Sequence, residues 1–384
     1  MSATEPISAN ASGGEGSPFR VGVFLRYRFH RAILEPLARQ LDREGCAVKV
    51  SSSKWDLVLF NPHVLVAAES LRSFRFHYYL PFTRFVHTRH GLASKGVAVE
   101  SAAFSHYTCV TSLQMRAWYE AQGVRPRVDF WVTGYPQMDP LFRSEPIPLP
   151  VAIPSHRRVV LYAPTFQHGF TSIHMLGDQA LRLLRGGRED THVLIKPHPL
   201  IAKHHPRWLQ RMRELAAGRA DVTIVEDIDT DLIPLLKAAD VLVTDVSSAM
   251  LEYLALDRPI ILLTNPDHRS EPFYDPSGFE WTWRDAAEEL FEARSLPAAI
   301  DRALRNPEAR GETRRKYRKI LYGDLTDGRS TERICRCIGS LRSSRASEIQ
   351  MTLSRVLGRT AYAALHGPTS LVRLQRGEKV ALRR

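Results

Sequence analysis

ADVLVTDVSSAMLEYLALDRPIIL, residues Ala239–Leu262, reads as a strand, a tight turn, a helix and a second strand. Val241–Leu242–Val243 is a short apolar run ending in Thr244–Asp245, Ala249–Ala255 are mostly good helix formers, and Pro259–Leu263 is a second buried run. The start of a helix offers unpaired N–H groups and the positive end of a dipole, which suit a phosphate. In an open α/β sheet this turn lies at the carboxyl end of a strand, where ligands bind. Ser247 and Ser248 equally suit plain capping of the helix. The stretch alone establishes α/β and leaves phosphate open.

The same alternation extends in both directions. In the first half, strands are expected at Val21–Leu25, Ala47–Val50, Asp56–Phe60, Val64–Ala67, Arg84–His87, Tyr107–Thr111 and Asp129–Thr133, with helices over Arg31–Arg43 and Leu113–Gln122. Pro146, Pro148, Pro150 and Pro154 then stiffen a linker. Beyond it, strands are read at Val159–Tyr162, His192–Lys196, Val222–Val225, Val241–Thr244 and Ile260–Leu263. Helices fall near Met175–Arg185, Arg207–Ala217, Leu232–Ala238 and Ala249–Leu256, and a long helical region covers Arg284–Leu321. Strands alternating with helices at this spacing imply parallel, doubly wound sheets. The fold expected is α/β, two Rossmann-like domains. The division is 1–18 disordered, 19–145 first domain, 146–158 linker, 159–323 second domain, 324–345 a C-terminal helix returning to the first domain, and 346–384 a basic amphipathic tail.

Among 384 residues, four scattered cysteines without CxxC spacing fit a reducing compartment. No window approaches the roughly 20 apolar residues of a membrane span, and the N-terminus has no signal-peptide character. A cytoplasmic protein is expected, its membrane contact peripheral. The net charge of +12 predicts attraction to polyanions. Much of that charge is in the tail, where Leu353, Val356, Leu357, Ala361 and Leu365 recur between arginines. A helix lying on anionic lipid and a solvated tail are both consistent with that pattern. Nucleic acid is not an expected partner, because no recognised binding motif accompanies the charge.

Two Rossmann-like halves create a cleft between facing strand ends, and residues able to do chemistry cluster at those ends. His90–Gly91 and Lys95 follow one strand of the first half, and Gly134–Tyr135–Pro136 and Asp139 follow another. In the second half, Tyr162–Phe166 (YAPTF), Lys196–Pro199 (KPHP) and Thr244–Ser248 (TDVSS) each end a strand, and Asp327–Arg333 (DGRSTER) comes last. Histidine, lysine, threonine and serine at strand ends form an anion pocket with titratable groups inside.

With His90–Gly91 and Lys95, these motifs, in this order, resemble the CDP-glycerol glycerophosphotransferase family of teichoic-acid polymerases and primases, within the two-Rossmann-domain GT-B class. The resemblance covers roughly residues 80–340. It implies transfer of a glycerol- or polyol-phosphate group from a CDP-activated donor to a hydroxyl of a lipid-linked glycan or polymer acceptor, with CMP leaving. The chain departs from the family pattern at Val246, Leu251–Glu252 and Phe166–Gln167.

On that resemblance His90 is the base, since a histidine of near-neutral pKa suits removal of the hydroxyl proton. His198, Ser247, Ser248 and Thr165 would meet the charge growing on the leaving phosphate, with Lys196, Thr244 and Asp245 beside them. Gly91, Lys95, Gly134 and Asp139 fall on the acceptor side. Asp245 is open between a ribose or base contact and a turn cap. The Asp229–Thr230–Asp231 triplet is read as capping the helix at Leu232–Ala238 rather than as a metal motif. No cofactor is expected, and no metal site either, because no zinc spacing is present. A UDP- or CMP-sugar transferase or epimerase shares the same cleft and is the alternative.

Overall fold

The computed structural model describes residues 18–89, 91–92 and 102–366. His90, Lys95, the N-terminal segment 1–17 and the last part of the basic tail, 367–384, lie outside the described residues. Two six-stranded parallel sheets form the molecule. The first has strand order β2-β1-β3-β4-β5-β6, built from Ala47–Ser51, Arg20–Phe24, Val64–Ala67, Arg84–His87, Tyr107–Val110 and Asp129–Val132. The second has order β12-β11-β10-β7-β8-β9, from Glu288–Leu290, Ile260–Leu263, Val241–Thr244, Arg158–Tyr162, Thr191–Ile195 and Val222–Ile224. In the second sheet the order reverses between β7 and β10, where Val241 pairs with Val160 and Val243 with Tyr162. The crevice outside such a reversal is where open α/β sheets bind ligands.

The helices used below are α1 (Arg31–Arg43), α2 (Lys54–Phe60), α3 (Leu113–Ala121), α4 (Pro206–Ala216), α5 (Leu232–Ala238), α6 (Ser248–Tyr253), α7 (Leu296–Arg305), α8 (Gly311–Tyr322), α9 (Ser330–Ser340) and α10 (Glu348–His366). Three expectations change. Asp56–Phe60 is helix rather than strand: the Ser53 side chain accepts from the Asp56 N–H, and Asn61 ends the helix with φ 55°. A five-residue apolar run has no period of its own, so caps decide it. The helical region read at Arg284–Leu321 is interrupted by edge strand β12 and again between α7 and α8. The helix near Met175–Arg185 is broken at Gly177.

One continuous apolar cluster runs through both lobes, joining Val21, Leu37 and Met115 to Leu235, Leu251, Tyr322 and Ile334. The chain crosses back along that seam. Ser112 Oγ donates to the Ile320 carbonyl at 2.6 Å, and the Thr111 hydroxyl donates to the Leu321 carbonyl, so α8 ends on the first lobe. Helix α9 then packs on α1, with Ile334, Cys335 and Ile338 buried. Its start is held by Asp139: Oδ1 accepts from the Ser330 N–H, and Oδ2 accepts from the Thr331 N–H and hydroxyl, all at 2.8 Å. Gly134, at φ +85°, lies so close that a Cβ there would overlap the Ser330 hydroxyl. Two of the four residues expected on the acceptor side, Gly134 and Asp139, are thereby engaged in seating a helix.

Helix α10 docks on the first lobe by Met351, Ser354, Gly358 and Tyr362. Asn61 Nδ2 donates to the Met351 carbonyl at 2.6 Å, and Tyr362 meets Trp55 edge-on. Its opposite face leaves Leu353 58% and Val356 57% exposed, with Leu357 beside them. Among the described residues no helix is long and apolar enough to cross a membrane.

Asp139→Ala strips the first turn of α9 of three hydrogen bonds inside a buried contact. A loss of about 3 kcal/mol is expected in urea unfolding, since each unsatisfied buried donor costs on the order of 1–3 kcal/mol. An unchanged midpoint would remove the seating role.

Candidate active site

The second lobe's side of the crevice is built around Asp245, the residue following β10. Its carboxylate accepts from the Thr165 N–H at 2.9 Å, from the Ser172 N–H and hydroxyl at 2.9 Å each, and from its neighbour Val246 at 2.8 Å. The residue is 1% exposed, and burial pushes its carboxyl above the ordinary range while these donors pull it back. A carboxylate so occupied is a tie between loops. Thr244 is likewise spent, its hydroxyl donating to the Ala163 carbonyl at 2.7 Å. Together they lock the loops after β7 and β10 at the reversal of strand order.

What that lock leaves half-buried at the crevice is Ser247 and Ser248, whereas Thr165 is 3% exposed and its hydroxyl donates to Gln167 Oε1 at 2.8 Å. The Ser247 side chain caps α6, accepting from the Ala249 N–H at 3.3 Å. Gly91 lies opposite: a Cβ built on it would stand 3.8 Å from the Ser248 hydroxyl oxygen. The loop that follows β4 in the first lobe therefore rests against the start of α6 in the second. Arg89, just before that loop's histidine, holds φ +67°, a conformation that a side-chain-bearing residue adopts at a cost. Its guanidinium bonds the Tyr119 hydroxyl and lies over that ring.

His198 stands on the loop after β8. Its Nδ1 accepts from the Leu200 N–H at 3.1 Å, so the neutral ring carries its proton on Nε2 and offers a donor. The Phe166 ring packs on it with centroids 4.6 Å apart, which places His198 beside the Thr165 loop. Lys196 is turned elsewhere: Nζ donates to the Asp227 carbonyl at 2.7 Å. Burial lowers its pKa, against the pull of Asp227, Asp231 and Asp229.

The Asp229–Asp231 segment caps α5, as Asp231 accepts from the Ile233 N–H, and it also bridges the lobes. Arg28 pairs with Asp229, and Gln137 Nε2 donates to Asp231 Oδ1 at 3.1 Å while Gln137 Oε1 accepts from the Tyr135 hydroxyl at 2.8 Å. Below Ser248 sits Glu252, 3% exposed, its carboxyl pushed up to about 7 by burial first and by Asp231 second, against a hydrogen bond with Ser248. Neither Gln137 nor Glu252 is among the candidate site residues read from sequence, where Glu252 enters only as a departure from the family pattern. A glutamate inside an otherwise apolar helix turn was the one signal that marked Glu252.

A family model described as CDP-Glycerol:Poly(glycerophosphate) glycerophosphotransferase matches residues 27–340, across both lobes and the crevice between them. The chain belongs to this family. Among characterised relatives, the teichoic acid glycerol-phosphate primase of Bacillus spizizenii strain W23 is 32% identical over 114 residues, 29% of this chain and 27% of that protein. The primase of Bacillus subtilis strain 168 is 28% identical over 138 residues, 34% of this chain and 32% of its own length. The chain thus matches about a third or less of the length of these relatives. Of solved structures, the wall teichoic acid polymerase TagF superposes with a TM-score of 0.64 at 14% identity, covering 84% of this chain and 88% of that one. A UDP-N-acetylglucosamine 2-epimerase from Listeria monocytogenes, itself assigned provisionally, gives 0.57 at 16% identity, covering 86% and 98%. Both likenesses define the fold, two facing Rossmann-like domains of GT-B type.

Glu252 generates a pH signature. Its folded pKa is raised above 4.5, so the folded state binds the extra proton and stability falls as pH rises from about 4.5 through about 7. Glu252→Gln removes this dependence. Relative to wild type the variant should gain on the order of 2–3 kcal/mol between pH 5 and pH 8 in urea unfolding. A pH-independent difference would contradict the buried-acid assignment.

Proposed function

We propose that this glycerophosphotransferase-family chain moves a glycerol-phosphate, or related polyol-phosphate, group from CDP-glycerol to a hydroxyl of a lipid-linked or polymer acceptor, in teichoic-acid-like cell-surface synthesis. The observation that carries this reading is Gly91 against Ser248, with the family match spanning both lobes. It brings the strand end that bears His90 to the helix start proposed for the donor phosphates. A form of TagF soaked with CDPG has the same fold at a TM-score of 0.62 and 13% identity.

The acceptor oxygen attacks the phosphorus that carries glycerol, and its proton passes to His90. The bond from that phosphorus to the bridging oxygen breaks, and CMP leaves with the bond's electron pair. To the His198 Nε2–H and the hydroxyls of Ser247 and Ser248 we assign the charge on the departing phosphate, with the Thr165 hydroxyl joining them once it turns from Gln167. An ionised Glu252 takes the Ser248 hydroxyl proton as its hydrogen bond. A protonated Glu252 donates instead, freeing that hydroxyl for phosphate.

CMP release from CDP-glycerol with a lipid-linked acceptor tests the reading. His90→Ala and His198→Ala should each lower kcat at least about 100-fold, the scale of a lost acid–base or charge-stabilising group. Release unaffected by either change would remove both roles. Thermal-shift titration separates the donor classes. CDP should stabilise the protein more than UDP, CMP or GDP, whereas a preference for UDP would favour the sugar-nucleotide alternative supported by the epimerase-like fold.

For the acceptor to be lipid-linked, the protein works at the cytoplasmic face of the membrane, and the outward face of α10 supports this. Leu353, Val356 and Leu357 are exposed there, with Arg355 and Arg359 on the same helix. In flotation with anionic phosphatidylglycerol vesicles, the full chain should float and Leu353→Ser/Leu357→Ser should remain in solution. Equal flotation of both proteins would free α10 from this role.

A further inference from the structure

Outside the crevice, the fold gathers three histidines that are far apart in sequence. His168 lies on the loop after β7 and His174 on the helical turn Ile173–Leu176 that follows it. His205 stands where the turn Ile201–His204 meets α4. One ring nitrogen from each lies within 4.8 Å of the other two. The His168 and His174 ring centroids are 4.8 Å apart, and those of His174 and His205 are 5.1 Å apart.

Two features show a prepared site. First, His205 Nε2 stands 2.7 Å from the Phe166 carbonyl oxygen. A carbonyl only accepts, so Nε2 carries the proton and Nδ1 keeps its lone pair, the outer-shell bond that orients metal-binding imidazoles. Second, the backbone of the His168 loop is anchored on both sides. Asn265 Nδ2 donates to the carbonyls of His168 at 3.2 Å and Thr171 at 3.0 Å, the Gly169 N–H donates to Glu271 Oε1 at 2.5 Å, and Ser172 is bound to Asp245.

We propose that His168, His174 and His205 bind one divalent transition-metal ion of the zinc class, with a fourth position open to solvent. Three imidazoles and no carboxylate suit zinc, cobalt, nickel or copper, and are wrong for calcium or magnesium, which take oxygen. Zinc–nitrogen bonds of about 2.0–2.1 Å in a tetrahedron require nitrogens about 3.3 Å apart. His168 and His174 are exposed, so their rings have room to turn and close the remaining distance. The ion would clasp the loop after β7 to the loop after β8. Those loops carry Thr165 and His198, and Phe166 already joins them, its ring on His198 and its carbonyl on His205. The role is to fix the second lobe's side of the crevice, and the chemistry at phosphorus passes through no metal.

The test uses tag-free full-length protein stripped with a chelator and titrated with cobalt(II) chloride, read by the visible absorption of the bound ion, with zinc sulfate in competition. One equivalent per chain should bind and be displaced by zinc. His168→Ala and His174→Ala should each weaken binding at least about tenfold, the lower bound seen even for lost outer-shell partners. The double variant should lose the band. Both side chains face solvent, and an unchanged thermal melt of the stripped variants confirms that they fold. His204→Ala, next in sequence but outside the triad, should bind as wild type does. Absent stoichiometric binding, binding that survives in the double variant, or equal loss in His204→Ala would overturn the site.

Discussion

The Asp245 carboxylate is the constraint on which the second lobe's side of the crevice depends. It sits where the strand order of the second sheet reverses, and it gathers donors from three points of the chain: Thr165, Ser172 and Val246. Taking a carboxylate out of water costs several kcal/mol, and charge-assisted hydrogen bonds from fixed N–H groups offset that cost only where their geometry is rigid. The rigidity comes from β7 and β10, paired side by side in the sheet. The carboxylate therefore converts sheet order into loop order. Thr165, the serines of α6 and the histidine loop up to Ser172 all take their places from it.

A second constraint closes the two lobes on each other. Among the described residues, polar links between the lobes run from Arg28 to Asp229 and from Tyr135 through Gln137 to Asp231. The Arg28–Asp229 pair, open to solvent on the arginine side, contributes on the order of 1 kcal/mol or less. The enduring connection is apolar and lies behind the crevice, where α8 and α9 return to the first lobe and Asp139 fixes the start of α9. The lobes are thus held together mainly by this apolar seam.

The buried acids follow from the same layout. Asp231 and Glu252 lie between the lobes in the low-dielectric space that the apolar seam creates, and each is pushed toward its neutral form by burial. Glu252 is raised by burial first and by Asp231 second, against its hydrogen bond with Ser248.

The sequence by itself determined the two-domain α/β architecture, because strand and helix periods are local and the motifs at strand ends fall in a characteristic order. It also marked Thr165, His198, Ser247 and Ser248, since residues at a strand's carboxyl end are placed by that strand. Tertiary structure decided what a linear pattern does not encode. Asp139 and Gly134 meet α9 almost two hundred residues later, Asp56–Phe60 turns helical through its caps, and Gln137, Glu252 and the three histidines acquire meaning from their neighbours. A strand end fixes where a side chain stands, but its chemistry depends on which donors, charges and water surround it, and those are set only when distant segments pack together.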